Sequence, residues 1–483
     1  MKRLISCVLA LLYVMAGFAS GTWILHGKEY RVDTLYHAYI GPGTTQTSIK
    51  LAGPVNLRVF YTTTDLKNEN VDVRAIKHKD TLTGLGTVSN AAESHSTSSR
   101  SYFAGINADF FSSSMPCGIT IVDGEVYCSD QASGWSLFGI DANKIPYSGG
   151  GDFYVKLTAP DYSTAELSAM NLERETNGLV LYSSRKGANT GTDSNGSEVV
   201  LIPDGEGNFL TPGATVRMRV QGNPNHAGSM PIPDNGYILS GSGTKESFVS
   251  NLSEGDVVEV RCAIRFNGFT GGKIQQALGG CPMLVSGGEV LDTENALDHL
   301  TSAQPRTAVG YNAEKNKLVM LVADGRSSIS VGPISKVLAD IMIYAGCSEA
   351  MNFDGGGSST FYVKGEGVIN QPSDGSERSV ADGLYLSTDA PQNDVTITTI
   401  RFMDYAKTLN QGDAYTPVIY GYNQYGVLVD RNVEGVTLSC GSSLGTITND
   451  GTTLNALGSG THMLTAGYGN LTTSLSVTVI GES

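Results

Sequence analysis

The chain has 483 residues and a formal net charge of −15 at pH 7, with 59 glycines and only 16% charged residues. That length accommodates two or three domains, each with its own core. An acidic surface without a basic cluster excludes nucleic acid and anionic membranes as partners, so a substrate phosphate would have to be met by a few Arg or Lys side chains inside a cleft.

Lys2-Arg3, the apolar run from Leu4 to Ala16 and the small residues Gly17, Ala19 and Ser20 read as an export signal over residues 1–19. The run is short for a membrane span, no later segment would form a transmembrane segment, and the mature product is expected to be secreted, periplasmic or at the cell surface. Cys117 and Cys128 flank turn residues Gly118 and Asp123-Gly124. They would either close a small disulfide loop or remain two buried thiols. No Cys-x-x-Cys pair, His-Glu-x-x-His motif or phosphate-binding Gly-x-x-x-x-Gly-Lys loop occurs.

Strand-like pieces at 55–61 and 71–76 precede a polar segment at 91–99 of helical character. Tyr102 to Phe111 then forms an apolar strand carrying Asn107 and Asp109 two residues apart, on one face by strand alternation. Residues 151–265 give further strands and long loops without chemistry of their own. Arg306-Thr307-Ala308-Val309-Gly310 opens one strand, and Leu318 to Ala323 forms another that ends in Asp324-Gly325-Arg326. A helix is specified by Pro333, by Ile334, Val337, Leu338, Ile341, Met342 and Ala345 at helical spacing, and by Gly346 as its cap. It leads into Ala350-Met351-Asn352-Phe353-Asp354-Gly355-Gly356-Gly357-Ser358-Ser359-Thr360. Asn352 and Asp354 share a face, and the glycines free backbone N–H groups for an anion. The plainer alternative is an ordinary Asp-Gly turn. Many turns, frequent Tyr and Thr and few helical segments predict an α+β, β-rich, mixed-sheet domain with few helices over residues 22–388. After the polar linker Ser387 to Asp394, about seven short strands over 393–483 predict an immunoglobulin-like β-sandwich.

These motifs, together with Gln276-Ala277-Leu278-Gly279-Gly280 and Gln371-Pro372-Ser373-Asp374 with Arg378, resemble the phosphodiester glycosidase family from about residue 30 to 388. Asn107-Ala108-Asp109 stands where that family often carries Asn-Gly-Gly. The resemblance implies an N-acetylglucosamine-1-phosphodiester α-N-acetylglucosaminidase-like hydrolase acting on a phosphodiester-linked glycan or sugar-phosphate. Its leaving group, a phosphate monoester, needs cations and N–H donors more than a strong general acid. Asp354, Asp324 and Arg306 are the catalytic candidates, with Asp354 preferred as base or nucleophile; the alternative role of Asp324 is to orient Arg306 through a salt bridge. Asn107, Asp109, Gln276, Asn352, Gly355, Gly356, Gly357, Ser358, Thr360, Ser373, Asp374 and Arg378 are the substrate-binding candidates. Two other readings are a glycan-binding or adhesive protein on a degenerate enzyme scaffold, and a phosphodiesterase cleaving P–O with Ca²⁺ or another divalent cation on Asp109, Asp324 and Asp354.

Overall fold

The chain was analysed as a computed structural model that describes residues 21–129, 135–205, 209–266, 269, 271–293 and 301–481. The expected export signal lies outside them. Among the described residues, no helix is long and apolar enough to cross a membrane. Strands dominate a β-rich mixed α+β fold, and the α-helices given bounds among the described residues are Val88–His95, Glu246–Ser250 and Ser335–Tyr344.

The largest sheet has nine strands. At its centre Lys317–Ala323 lies between Asn56–Asp65 and Arg306–Tyr311, and Arg306–Tyr311 also pairs with Glu349–Asn352. The unbroken apolar run of Lys317–Ala323 follows from burial on both faces. Leu318, Met320 and Val322 enter one core, while Val319, Leu321 and Ala323 enter another. The helix Ser335–Tyr344 covers the second core with Leu338, Ile341 and Met342. The first core is closed by a five-stranded sheet that contains Phe361–Val363, Ser101–Asn107 and Asp382–Thr388 side by side. Phe60, Ile106, Val309, Met351, Phe353 and Leu384 interdigitate between the two sheets, so the first turns beyond neighbouring strand ends of both sheets emerge together.

The middle of the chain forms an eight-stranded sheet from Gly151–Thr158 to Val257–Phe266 with its own core. Cys117 and Cys128 are not joined by a disulfide, nor are the other four cysteines among the described residues.

The strands from Thr399–Phe402 to Leu471–Ile480 build three small sheets around Ile400, Leu454, Leu464 and Val477. This unit is not loosely tethered. Tyr420 and Tyr422 are buried with Ala38 against Tyr36, the Tyr422 hydroxyl donates to the Tyr39 carbonyl at 2.8 Å, and Arg431 pairs with Glu366 at 2.5 Å. Such apolar burial stabilises at about 25 cal/mol per Å², whereas the partly exposed ion pair adds little. Ending the chain after Thr388 is therefore expected to leave a folded core that melts about 5 °C or more below the full chain. A thermal scan showing the same Tm for both would mean that the contact contributes nothing.

Candidate active site

The ladder between Arg306–Tyr311 and Glu349–Asn352 pairs Ala308 with Asn352, and the Phe353 amide carries it one step further onto the Thr307 carbonyl at 2.8 Å. Arg306 opens the strand on which this ladder ends, and the Gly356 amide bonds back to the Pro305 carbonyl just before it at 2.9 Å. From the facing sheet, Asn107 closes the arrangement. Its Nδ2 donates to the Asp354 carbonyl at 2.7 Å, and its Oδ1 accepts from Thr307 Oγ1 at 2.8 Å and from the Thr360 amide at 3.1 Å. The Asp354 amide donates in turn to the Ala108 carbonyl at 2.8 Å. Both Asn-x-Asp segments and the Arg306 strand thus meet at one point. Their strands end at Asn107 and Asn352, so Asp109 and Asp354 lie in the segments just beyond.

Asp354 is partly exposed. Burial of its carboxyl pushes the pKa up to about 6, against the opposing help of the Ser358 hydroxyl, the Arg378 charge and the Gly355 amide. Arg306 is only 2% exposed and donates to the Ser302 carbonyl. Burial first, and the nearby Arg326 charge second, bring its pKa down to about 10, which still leaves it cationic at neutral pH. Arg326 is exposed, holds a left-handed backbone (φ 60°), and donates from Nε to Gln304 Oε1 at 2.8 Å. Arg378 pairs with Asp374 at 2.6 Å and donates from Nη1 to Ser358 Oγ at 3.3 Å. The glycines of the loop are required here, because a Cβ on Gly357 would collide with Arg378 and Asp374, and Gly356 (φ 61°) lies against Arg326. The loop is thus flanked by the side chains of Arg326 and Arg378 and by the backbone of Arg306, and Arg326 did not stand out in the sequence.

Several candidates have other work. Asn107, Asn352 and Thr360 are fully buried; Asn352 Nδ2 donates to the carbonyls of Cys281 and Phe353, and Thr360 Oγ1 to that of Ser358. They fix the backbone under the loop instead of presenting groups to sugar hydroxyls, and losing Asn107 would leave buried partners unpaired at about 1–3 kcal/mol each. The expected amide cradle is also largely spent. The N–H groups of Gly356, Ser358 and Ser359 bond to the Pro305, Gly355 and Gly356 carbonyls, and that of Thr360 bonds to Asn107. Cationic side chains are what the loop offers an anion. Asp324 accepts the Gln371 amide at 2.9 Å and Asn370 Nδ2 at 3.3 Å, which ties down the segment leading to Ser373 and Asp374. Ser373 Oγ accepts from Arg326 at 3.4 Å. Gln276 is engaged elsewhere, donating to Asp123 at 2.7 Å and accepting the Ala75 amide at 3.0 Å. Asp109 is 1% exposed, too deeply buried to meet a substrate directly.

For a divalent cation, Asp109, Asp324 and Asp354 do not assemble a donor set. Among the described residues, no three His, Cys, Asp or Glu side chains are grouped to hold a metal ion, and one Asp324 oxygen is committed to the 370–371 segment.

The fold and the site define a β-rich α+β protein with a part-buried carboxylate among arginines at the junction of two facing sheets. Residues 210–387 match the phosphodiester glycosidase family profile, which bears out over that stretch the resemblance carried by the motifs. The match contains Arg306, Asp354 and Arg378. The chain is also 40% identical over 88 residues to the SPβ prophage-derived uncharacterized protein YomE of Bacillus subtilis (strain 168), an overlap of 18% of this chain and 13% of that protein. It is similar in fold to a hypothetical protein from Synechocystis (TM-score 0.55, 15% identity, 72% of this chain and 62% of that one). A putative exported protein from Burkholderia pseudomallei K96243 overlaps comparably (TM-score 0.52, 21% identity, 69% and 75%).

Proposed function

We propose that the chain is a hydrolase that releases a sugar from a sugar 1-phosphate diester, acting as a phosphodiester α-glycosidase on an exported glycan or wall polymer. The observation that carries this reading is Asp354, the partly exposed carboxylate, facing the Gly356–Ser358 turn that Arg326 and Arg378 flank, with Arg306 on the neighbouring strand.

The chemistry follows from the charges. Breaking the bond between the anomeric carbon and the phosphate oxygen leaves positive charge on the sugar and a second negative charge on the departing phosphate. Arginines bind phosphate oxygens in a forked, charge-assisted geometry. Arg326 and Arg378, the more accessible pair, would meet the incoming phosphate, and Arg306, desolvated beneath them, would act more strongly on the charge that develops as it leaves. Asp354 would stabilise the cationic sugar and either activate water or form a glycosyl intermediate. With a pKa of about 6 it is ionised at neutral pH and still basic enough to accept a proton. The mature protein, freed of residues 1–19, would work outside the cytoplasm.

The test is to incubate the purified chain with a sugar-phospho-sugar diester and separately with an aryl α-glycoside. Release of free sugar and a phosphate monoester from the diester, faster than from the aryl glycoside, is the expected result. Saturable binding of the diester without turnover would instead favour a glycan-binding role.

A further inference from the structure

Behind Asp354 lies a second acidic group that the reaction outlined above leaves idle. The Asp109 amide donates to Asp382 Oδ1 at 2.8 Å, and the Gly118 amide donates to Asp109 Oδ2 at 2.7 Å. Gly118 and Gly279 pack so closely on that oxygen that a Cβ on either would strike it. Both carboxyls are buried, at 1% and 0% exposure, and each keeps one oxygen, Asp109 Oδ1 and Asp382 Oδ2, with no hydrogen-bond donor. Two ionised carboxylates with donor-less oxygens, side by side in a dry interior, are strongly disfavoured. One bound proton removes a charge and turns one orphaned acceptor into a donor.

We propose that Asp109 and Asp382 together hold one proton at neutral pH, carried on Asp109. Asp109 then stands as a neutral acid behind Asp354, and Asp382 remains its anionic partner.

The surroundings decide which of the two is protonated. The titratable and charged groups in electrostatic contact with the pair are Asp354, Lys77, Cys117 and Tyr385. Lys77 is paired across strands with Asp382, is itself buried, and donates Nζ to the Gly84 carbonyl at 2.7 Å. Its charge favours ionised Asp382, as does the Asp109 amide, whereas at Asp109 burial and the charges of Asp382 and Asp354 outweigh the help of the Gly118 and Phe110 amides. Both pKa values rise, that of Asp109 well above the usual carboxylate range. Ionised Asp109 would place another anion behind Asp354 and make Asp354 harder to deprotonate; a protonated Asp109 spares it that repulsion. Asp109 and Asp382 are positioning residues in this account, which rests on reading Asp354 as the reacting carboxylate.

The test is aspartate-carboxyl ¹³C NMR on the full chain, with infrared detection of the protonated carboxyl as a check. At pH 7 the wild type is expected to show a protonated aspartic acid that Asp109→Asn removes and Asp354→Asn does not. In Asp382→Asn the same signal should titrate about one pH unit or more lower, since the neighbouring charge is gone. Asp109→Asn mimics the neutral acid, so kcat should stay within about threefold of wild type. Absence of the protonated signal, a titration unmoved in Asp382→Asn, or its loss on adding Ca²⁺ alone would overturn the proposal, as would a hundredfold fall in kcat in folded Asp109→Asn. The spectroscopic readouts do not depend on turnover. Full activity in Asp354→Asn would therefore sink the assignment of the reacting carboxylate and leave the shared proton standing.

Discussion

Asp354→Asn is expected to lower kcat on a sugar phosphodiester by about two to four orders of magnitude, with little change in substrate affinity. The amide keeps the shape of the side chain and can still accept from the Ser358 hydroxyl and the Gly355 amide, which hold the wild-type carboxylate. What it loses is the negative charge that would oppose the developing sugar cation and the basic oxygen that would take a proton from water. The pH profile follows with the same sign. Activity requires the ionised form, so kcat/KM should be level above the Asp354 pKa of about 6 and should fall roughly tenfold per pH unit below it. Steady-state kinetics on both proteins between pH 4 and 8 check both statements. A folded Asp354→Asn with near-normal turnover would move the search to another carboxylate, although Asp324 is committed to holding the 370–371 segment.

The second large effect is expected at Arg306. Arg306→Ala removes a cation that is 2% exposed on the strand next to the one that leads to Asp354. A charge-assisted bond to a phosphate oxygen contributes about 1.5–3 kcal/mol, or roughly a 10- to 150-fold loss in kcat/KM on the diester. The loss should be clearly smaller on an aryl glycoside, whose leaving group carries no phosphate. Arg326→Ala, at an exposed position, should share the substrate bias without the loss of stability that accompanies emptying a buried site. Equal losses on the two substrates in Arg306→Ala would return Arg306 to a structural role, with its bond to the Ser302 carbonyl as the reason for its burial.

The convergence of Asn107, Asp354 and Arg306 was legible because each sits where an apolar strand gives way to polar residues, and strand ends of facing sheets are where sites are built. Their division of labour was not. Strand alternation put Asn352 with Asp354 and Asn107 with Asp109, yet both strands stop at the asparagine, so each aspartate lies beyond the pleat. The asparagines were drawn inward by unpaired backbone groups at those strand ends, a demand that depends on which chain segment lies opposite. Arg326 was hidden by its ordinary setting in Asp324-Gly325-Arg326, and only the approach of the glycine loop reveals it. Asp382 had no local signature, since its meaning comes from the contact of its carboxylate with the Asp109 amide, 273 residues away. The polar stretch around Ser387 to Asp394 read as a linker because the residues that dock the C-terminal strands, Tyr36, Ala38, Tyr420 and Tyr422, lie far apart in the chain.

The position of bond cleavage bears most directly on the proposed chemistry. Hydrolysis of a sugar-phospho-sugar diester by the full chain in ¹⁸O-labelled water, followed by mass spectrometry of both products, reads it out. Attack at the anomeric carbon predicts label in the released sugar and none in the phosphate monoester. Label in the phosphate would mean P–O cleavage and would contradict the glycosidase reading of Asp354 and the three arginines.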